Sequence, residues 1–278
     1  MRRSLLFIPG NRENMLAKAD DSEADVIVFD LEDSVAASDK ENGRKVLSDF
    51  LRGFDNNAEK EIVVRINSEE GMWQKDISDT IFSEKVNGYM IPKATREKVR
   101  MIDSFIKESE IFLIPIIESP EGLLSAKDVA NASSRIAGML FGAEDYTTEM
   151  NIRRTTEGTE IQVARSLFAI ICSASKIEAY DTPFVDFNYP RGLFRDTING
   201  KCIGMTGKAA IHPKQVSTIN KIYMPTKSEI SKAKLIVKKS KELSLVGKGS
   251  FEIDGEMIDL PVITRAKKLL EKIGIDVD

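Results

Sequence analysis

Stretches of consecutive apolar residues alternate with amphipathic stretches over the first 213 residues of the chain. The apolar stretches predict eight strands, at residues 3–9, 24–33, 61–67, 88–93, 111–118, 135–146, 179–187 and 206–213. The amphipathic stretches between them predict helices at residues 13–19, 39–51, 73–82, 96–106, 119–133, 161–177 and 193–200. Unbroken apolar strands are typical of a parallel sheet that is buried on both faces. The alternation therefore predicts an α/β protein with a (β/α)8 TIM barrel.

An open, doubly wound parallel sheet is the alternative fold, because it also alternates strands with helices. No G-x-G-x-x-G motif follows any of the predicted strands. The sequence thus gives no sign of the dinucleotide site that such a sheet often carries.

The pattern changes beyond residue 225, where the predicted barrel domain (residues 1–225) ends. The elements predicted after it are a lysine-rich helix at 228–242, a break at Gly247-Lys248-Gly249, a loop or hairpin at 251–261 and a last helix at 262–273. Residues 226–278 exceed what a barrel needs. We expect this C-terminal helical extension to pack beneath the barrel or to reach a neighbouring subunit, where it would act as a lid.

Composition and charge exclude several classes of protein. With 42% hydrophobic and 30% charged residues among 278, the chain has the composition of an ordinary globular protein. A formal net charge of −4 argues against nucleic acid as the main partner. No apolar run approaches the roughly 20 residues of a membrane span, and the N-terminus lacks the pattern of a signal peptide.

The few cysteines and histidines limit the possible chemistry. Cys172 and Cys202 form no spaced pair, which favours a reducing cytoplasm and excludes a thiolate metal site. The single histidine, His212, excludes a zinc site of several histidines and leaves no Ser-His-Asp or Cys-His arrangement. A structural hydrogen bond at the end of a strand is the favoured interpretation of His212.

Acidic residues close three of the predicted strands. They are Asp30, Glu32 and Asp33 after the second strand, Glu118 after the fifth, and Glu144 and Asp145 after the sixth. The carboxyl ends of parallel barrel strands converge on one mouth, which is where barrel enzymes carry their chemistry. Carboxylates without nearby cysteine or histidine suit a hard cation such as Mg²⁺. Two alternatives remain open, a ring of structural salt bridges and simple capping of the following helices.

Arg65 closes the third strand and is the arginine among these acids. Its guanidinium stays protonated and offers a planar fork of donors. Such a fork suits a carboxylate, or the oxygen of an enolate that develops negative charge during a reaction.

Short motifs that follow one another from Arg3 to Pro261 identify a resemblance that covers nearly the whole chain. They are RSLLFIPGNRENMLAKA, DVIVFDLEDSV, VVRIN, IPK, IIES, FGAEDY, GKAAIHPKQV and GEMIDLP. In their order and spacing the chain resembles the family of citrate lyase beta subunits, citramalyl-CoA lyases and malyl-CoA lyases. The runs EDYTTEMNIRRTTEGTEIQVARS and DTPFVDFN are more similar to the citrate lyase and citramalyl-CoA lyase branch.

The resemblance implies a metal centre and its surroundings. Glu118 and Asp145 match the two Mg²⁺ ligands of the family, and Glu32 matches an acid that reaches the metal through water. Arg65 matches the catalytic arginine that touches the substrate carbonyl and stabilises the enolate. The family fold is a TIM barrel, usually assembled as trimers or hexamers.

The resemblance also implies positions for the substrate and its carrier. The backbone N–H groups of Ala143 and Glu144 match those that hold the oxo-acid carboxylate. The channel for coenzyme A, or for an acyl-carrier arm, is matched by Phe7, Arg12 and Lys18. Asp259, in MIDLP, matches a catalytic acid that a C-terminal segment delivers, often to a neighbouring subunit; its neighbours Gly247, Gly249 and Gly255 indicate a segment that is mobile or extendable.

The reaction implied by the resemblance is the cleavage of a 3-hydroxyacyl thioester, citryl or citramalyl, into an acetyl thioester and a 2-oxo acid, oxaloacetate or pyruvate. The carrier is coenzyme A or an acyl-carrier protein, and citrate lyase alpha and gamma subunits are possible partners. Three alternatives remain: cleavage of malyl-CoA or β-methylmalyl-CoA, hydrolysis of the thioester, and a non-catalytic subunit of a larger complex. The intact set of Arg65, Glu118, Asp145 and Asp259 argues against the last.

Overall fold

The computed structural model describes residues 1–56, 60–244 and 250–277. The chain divides into two compact units, Arg2–Tyr223 and Met224–Asp278, the second of which also includes Met1. No helix in the described ranges is long and apolar enough to cross a membrane.

The first unit is a closed barrel of eight parallel strands that pair in chain order, with the last strand against the first. The strands are β1 (Ser4–Pro9), β2 (Val26–Asp30), β3 (Glu61–Arg65), β4 (Val86–Ile91), β5 (Phe112–Ile117), β6 (Gly138–Phe141), β7 (Glu178–Asp181) and β8 (Gly207–Ala210). The predicted TIM barrel is confirmed, and the open sheet is excluded because the eight strands close on themselves.

Helices follow the strands around the barrel. They are α1 (Glu13–Leu16), α2 (Lys40–Gly53), α3 (Met72–Ser78), α4 (Arg96–Phe105), α5 (Pro120–Leu124), α6 (Ala126–Ala130), α7 (Ala143–Glu149), α8 (Gln162–Ala174), α9 (Pro190–Cys202) and α10 (Pro213–Tyr223). Helix α10 was not predicted. Its sequence PKQVSTINKIY mixes polar and apolar residues and begins at the proline that the prediction used to end the eighth strand.

Several predicted strands end earlier than expected, such as the seventh, which ends at Asp181 and not at residue 187. Two other predicted elements each contain more than one element. The run at residues 135–146 was predicted as one strand, but only Gly138–Phe141 pair as β6, and the acidic end of the run begins helix α7. The single helix predicted at 119–133 is two short helices, because Ser125 lies between α5 and α6. Its hydroxyl donates to the carbonyl oxygen of Glu121, which is the kind of local bond that competes with a continuous helix.

Side-chain alternation determines what reaches the inside of the barrel. The buried cluster inside the barrel takes side chains from all eight strands: Leu5, Val26, Val28, Val63, Met90, Ile114, Ile116, Leu140, Tyr180 and Ala209. The intervening residues, such as Leu6 and Ile27, pack outward against the helices. Because successive side chains of a strand point to opposite faces, the next inward residue on each strand stands above this core, at the carboxyl ends of the strands.

The second unit contains helix α11 (Lys227–Ser244), a hairpin of β9 (Phe251–Ile253) and β10 (Glu256–Ile258), and helix α12 (Leu260–Lys272). It has a core of its own, built from residues such as Ile236, Val237, Ile253 and Leu270. Asp254 and Gly255, with φ of 50° and 80°, form the two-residue turn of the hairpin. Gly255 therefore serves a tight turn and does not indicate an extendable segment. The predicted break at Gly247-Lys248-Gly249 lies outside the described residues.

Candidate active site at the barrel mouth

A cavity of about 160 Å³ lies at the carboxyl ends of the barrel strands. Six of its lining residues occupy the inward-facing positions directly above the core, namely Phe7, Arg65, Glu118, Gly142, Thr182 and Ile211. Asp33, Ala143, Glu144 and Asp145 also line it. The strand alternation thus brings together residues that are far apart in the chain, and most of the predicted site residues are among them.

Arg65 is held by the acids that follow β2. Its Nε and Nη2 each donate to the carboxylate of Asp30 at 2.6 Å, and its Nη1 donates to Asp33 at 3.1 Å. Its guanidinium carbon lies 5.4 Å from the centroid of the Phe7 ring. Burial lowers the pKa of Arg65, but the carboxylates of Asp30 and Glu32 raise it by more, so the side chain stays charged. Asp30 and Asp33 therefore form salt bridges with Arg65, which was one of the alternatives that the sequence left open.

Glu32 is a buried acid with an unsatisfied oxygen. Its Oε2 lies 2.8 Å from Nη1 of Arg65, yet the geometry is not that of a hydrogen bond, and within the described residues Oε2 has no hydrogen-bond partner. Burial raises the pKa of Glu32 to about 8 despite the nearby Arg65, and the carboxylates of Asp33 and Glu118 add to the rise. At neutral pH a carboxyl group with a pKa of about 8 is mostly protonated, and a bound cation would favour its charged form.

Glu118 and Asp145 face the cavity without a basic partner. Neither carboxylate forms an ion pair with a described lysine, arginine or histidine. Glu118 Oε1 accepts the backbone N–H of Lys93 at 2.5 Å. Burial raises the pKa of Glu118 to about 7, and the nearby Asp145 contributes to the rise. Both residues also line a second cavity of about 520 Å³, which includes Lys93 and Arg96.

The side chains of Glu32, Glu118 and Asp145 fit a hard divalent cation. Their donor atoms are all carboxylate oxygens, one of which is buried without a hydrogen-bond partner. No cluster of three or more candidate ligands was found in residues 1–56, 60–244 and 250–277. Mg²⁺ commonly binds one or two carboxylates and completes its shell with water and substrate oxygens. Glu118 and Asp145 stay the predicted direct ligands. The predicted contact of Glu32 with the metal through water stays a prediction.

A glycine provides the space beside Glu118. A Cβ atom at Gly142 would lie 2.6 Å from Cβ and 2.9 Å from Oε2 of Glu118. Such distances are too short for packed atoms, so a side chain at position 142 would displace Glu118 from the cavity.

Ala143 and Glu144 begin helix α7 at the rim of the cavity. The N–H of Ala143 is not free in this structure, because it donates to Oγ1 of Thr182 at 3.3 Å. The side chain of Glu144 is exposed, and its Oε1 accepts a hydrogen bond from Nε of Arg154 at 3.2 Å. The structure therefore brings both residues to the site but gives the Ala143 N–H a protein partner.

Three predicted site residues of the barrel unit, Glu32, Arg12 and Lys18, do not line this cavity. Arg12 and Lys18 are exposed residues beside helix α1, while Phe7 of the same predicted channel does line the cavity. Asp259 belongs to the second unit, where its carboxylate accepts the N–H of Val262 at 3.2 Å and caps helix α12. The predicted catalytic role of Asp259 stays a prediction beside this structural role.

The sequence analysis assigned no site role to Lys93, Gly142 or Thr182, and it named Asp30 only as one of the acids at the strand ends. Each lies at the carboxyl end of a strand, and strand alternation could have shown that Asp30 and Thr182 point inward. His212 stacks on Phe187 with ring centroids 4.8 Å apart, and its Nδ1 accepts the N–H of Lys214. These contacts agree with the structural interpretation of His212.

The family model described as HpcH/HpaI aldolase/citrate lyase matches residues 3–213 of the chain. This match covers the strands and the whole candidate site of the barrel, and the chain therefore belongs to this family. The family resemblance and the carbon–carbon lyase class expected from the sequence are confirmed.

Curated relatives and solved structures agree with this assignment. The chain is 32% identical to the citrate lyase subunit beta of Leuconostoc mesenteroides, over 98% of this chain and 93% of that protein. It is 30% identical to the mitochondrial citramalyl-CoA lyase of Homo sapiens, over 96% of this chain and 84% of that protein. The protein CitE of Mycobacterium tuberculosis, solved in complex with magnesium, acetoacetate and coenzyme A, is 28% identical with a TM-score of 0.79 and 98% coverage of both chains.

Proposed function

We propose that this protein is a Mg²⁺-dependent lyase that cleaves citryl or citramalyl thioesters into an acetyl thioester and oxaloacetate or pyruvate. The observation that carries the proposal is the convergence of Arg65, Glu118 and Asp145 on one cavity. The relatives named citrate lyase subunit beta and citramalyl-CoA lyase support this substrate class. Magnesium and coenzyme A, expected from the sequence, are the groups bound in the CitE complex, so this expectation is confirmed.

The reaction requires the hydroxyl group of the substrate to lose a proton while the neighbouring C–C bond breaks. The bonding electrons move to the thioester, whose oxygen becomes that of an enolate, and protonation at carbon gives the acetyl thioester. The hydroxyl carbon becomes the carbonyl carbon of the 2-oxo acid. When bound by Glu118 and Asp145, Mg²⁺ would lower the pKa of the hydroxyl group and orient the substrate.

Arg65 is the residue proposed to stabilise the enolate. Three of its N–H groups donate to Asp30 and Asp33, and a guanidinium has five. The remaining donors are held on a fixed plane at the wall of the cavity, so no reorganisation is needed when negative charge develops on the thioester oxygen. Phe7, on β1 and two strands away from β3, covers one face of the guanidinium.

The proton for the enolate carbon requires an acid, and Asp259 is the proposed donor. We assign residues 1–225 to the catalytic domain and residues 226–278 to a lid that serves a neighbouring copy, in a homotrimer or hexamer. The support is the family resemblance of MIDLP. Arg12 and Lys18 are proposed to contact coenzyme A or an acyl-carrier arm, and Ala143 and Glu144 the oxo-acid carboxylate. A cytoplasmic location is favoured by the free thiols of Cys172 and Cys202.

Mixed oligomers test the shared site. Asp259→Ala and Asp145→Ala proteins, each inactive alone, are dissociated and reassembled together. If Asp259 serves a neighbouring copy, mixed oligomers regain part of the activity, because some mouths then combine an intact metal site with an intact lid. Verified mixed oligomers without activity would show that Asp259 acts within its own chain or not at all.

A panel of thioesters tests the reaction itself. Citryl-CoA, citramalyl-CoA and malyl-CoA are each incubated with the protein and Mg²⁺, and the oxo acid formed is identified as oxaloacetate, pyruvate or glyoxylate. We expect cleavage of citryl-CoA or citramalyl-CoA. Glyoxylate as the main product would identify a malyl-CoA lyase, and free coenzyme A without an oxo acid would identify a thioesterase.

A further inference from the structure

Thr182 follows β7 and stands at the wall of the cavity opposite Arg65. Tyr180 of β7 belongs to the buried interior of the barrel, so the next inward residue is Thr182, which lines the cavity. In the closed strand order β7 is four strands from β3 in either direction. Thr182 and Arg65 therefore face each other across the mouth.

The hydroxyl group of Thr182 has a proton to donate. Its oxygen accepts the N–H of Ala143 at 3.3 Å, and a hydroxyl can donate one hydrogen bond as well as accept. In the described part of the chain no carbonyl or carboxylate oxygen accepts a hydrogen bond from it. Thr182 is fully buried, where an unpaired donor is costly. An acceptor oxygen of a ligand in the cavity would remove that cost.

The backbone of Thr182 is fixed on both sides by a buried ion network. Its N–H donates to Oδ1 of Asp181 at 3.0 Å, and its carbonyl oxygen accepts Nζ of Lys208 at 2.6 Å. Asp181 also accepts Nε of Arg165 at 2.9 Å, and Lys208 lies 2.6 Å from Asp196. Two positive and two negative side chains balance in this network, so it fixes Thr182 without adding net charge near the site.

We propose that Thr182 is a substrate-binding residue whose O–H donates to the carboxylate of the 2-oxo acid. This inference rests on the proposed function. Arg65, on the opposite wall, serves the thioester oxygen, where the enolate charge develops. The oxo acid leaves from the other side of the broken C–C bond and therefore lies towards β7, beside Ala143 and the two carboxylates.

Three variants test the role of the hydroxyl. Thr182→Val removes the O–H at nearly constant volume, and Thr182→Ser keeps it. Thr197→Val is the matched control, because Thr197 is also fully buried and its hydroxyl donates only to the carbonyl oxygen of Leu193, within α9. The KM of pyruvate or oxaloacetate is measured in the condensation direction with acetyl-CoA, and the Kd of pyruvate is measured by calorimetry with Mg²⁺ and without thioester.

We expect Thr182→Val to weaken oxo-acid binding about tenfold to a hundredfold, the usual effect of losing a hydrogen bond to a charged group. The KM of acetyl-CoA should not change, and Thr182→Ser and Thr197→Val should bind the oxo acid like the wild type. Unchanged or tighter binding in Thr182→Val would overturn the inference, and tighter binding would mean that the hydroxyl only occupies the Ala143 N–H. Equal weakening in the serine and valine variants would also overturn it, because the methyl group would then be responsible. A wild type that neither binds nor condenses pyruvate or oxaloacetate would reject the proposed function itself.

Discussion

Asp30 forms a bidentate salt bridge with Arg65. The two residues are paired in register on β2 and β3, and both Nε and Nη2 of Arg65 lie 2.6 Å from the carboxylate of Asp30. This bidentate contact fixes the plane of the guanidinium and leaves one edge for the cavity.

Replacing Asp30 by Asn should therefore destabilise the protein, because it leaves the buried Arg65 without its main counter-charge. We expect a loss of about 3 kcal/mol in the free energy of unfolding, measured by urea denaturation. Asp33→Asn is the control, since the Asp33 side chain is 71% exposed and its pair with Arg65 should contribute about 1 kcal/mol or less. Equal losses in the two variants would contradict the assigned role of Asp30.

Replacing Arg65 by Lys keeps the positive charge but loses the planar fork that both Asp30 and the enolate require. We expect the loss to fall mainly on kcat, by about 2–4 kcal/mol of transition-state stabilisation, with a smaller change in KM. Steady-state kinetics measure both. A lysine variant with normal kcat and raised KM would limit Arg65 to substrate binding.

Replacing Gly142 by Ala should weaken metal binding, because the new Cβ would lie 2.6 Å from Cβ of Glu118 and displace its carboxylate. The measurement is the Mg²⁺ concentration that gives half-maximal activity, which should rise by about tenfold or more if one ligand is misplaced. Gly53→Ala is the control, since a Cβ there would meet no described atom within 4 Å outside its own helix and chain neighbours. An unchanged Mg²⁺ requirement in Gly142→Ala would argue against Glu118 as a ligand.

The loop after α7 should lose stability in acid because of Glu160. Burial raises the pKa of Glu160, but hydrogen bonds from Thr155 and Arg154 outweigh it and lower the pKa to about 2. A carboxyl group whose pKa is lowered by folding stabilises the fold at pH values above its ordinary pKa of about 4.5. This stabilisation is lost as the pH falls from 4.5 towards 2. Glu160→Gln should therefore show a flatter fall of melting temperature between pH 5 and about pH 2 than the wild type. If the melting temperatures of the two proteins fell in parallel with pH, the lowered pKa of Glu160 would be contradicted.

The sequence predicted the barrel because the strands are buried on both faces and read as continuous apolar runs. The ends of the strands were predicted less well, because an apolar run does not show where strand pairing stops. The run at 135–146, for example, includes the start of helix α7. Arg65, Glu118 and Asp145 could be found because charged residues that follow an apolar run are conspicuous. Thr182 and Gly142 could not be found in this way, because their roles depend on a hydrogen bond and on empty space that only the neighbouring strands define.

The central claim is a lyase reaction that depends on Mg²⁺ held by Glu118 and Asp145. It is tested most directly by counting the products from citryl-CoA and citramalyl-CoA, first with protein treated with EDTA and then after Mg²⁺ is restored. We predict equal amounts of 2-oxo acid and acetyl-CoA, formed only with Mg²⁺, and a fall of at least about a hundredfold in Asp145→Asn. Formation of the oxo acid at the full rate in EDTA or in Asp145→Asn, or release of free coenzyme A without acetyl-CoA, would contradict the account.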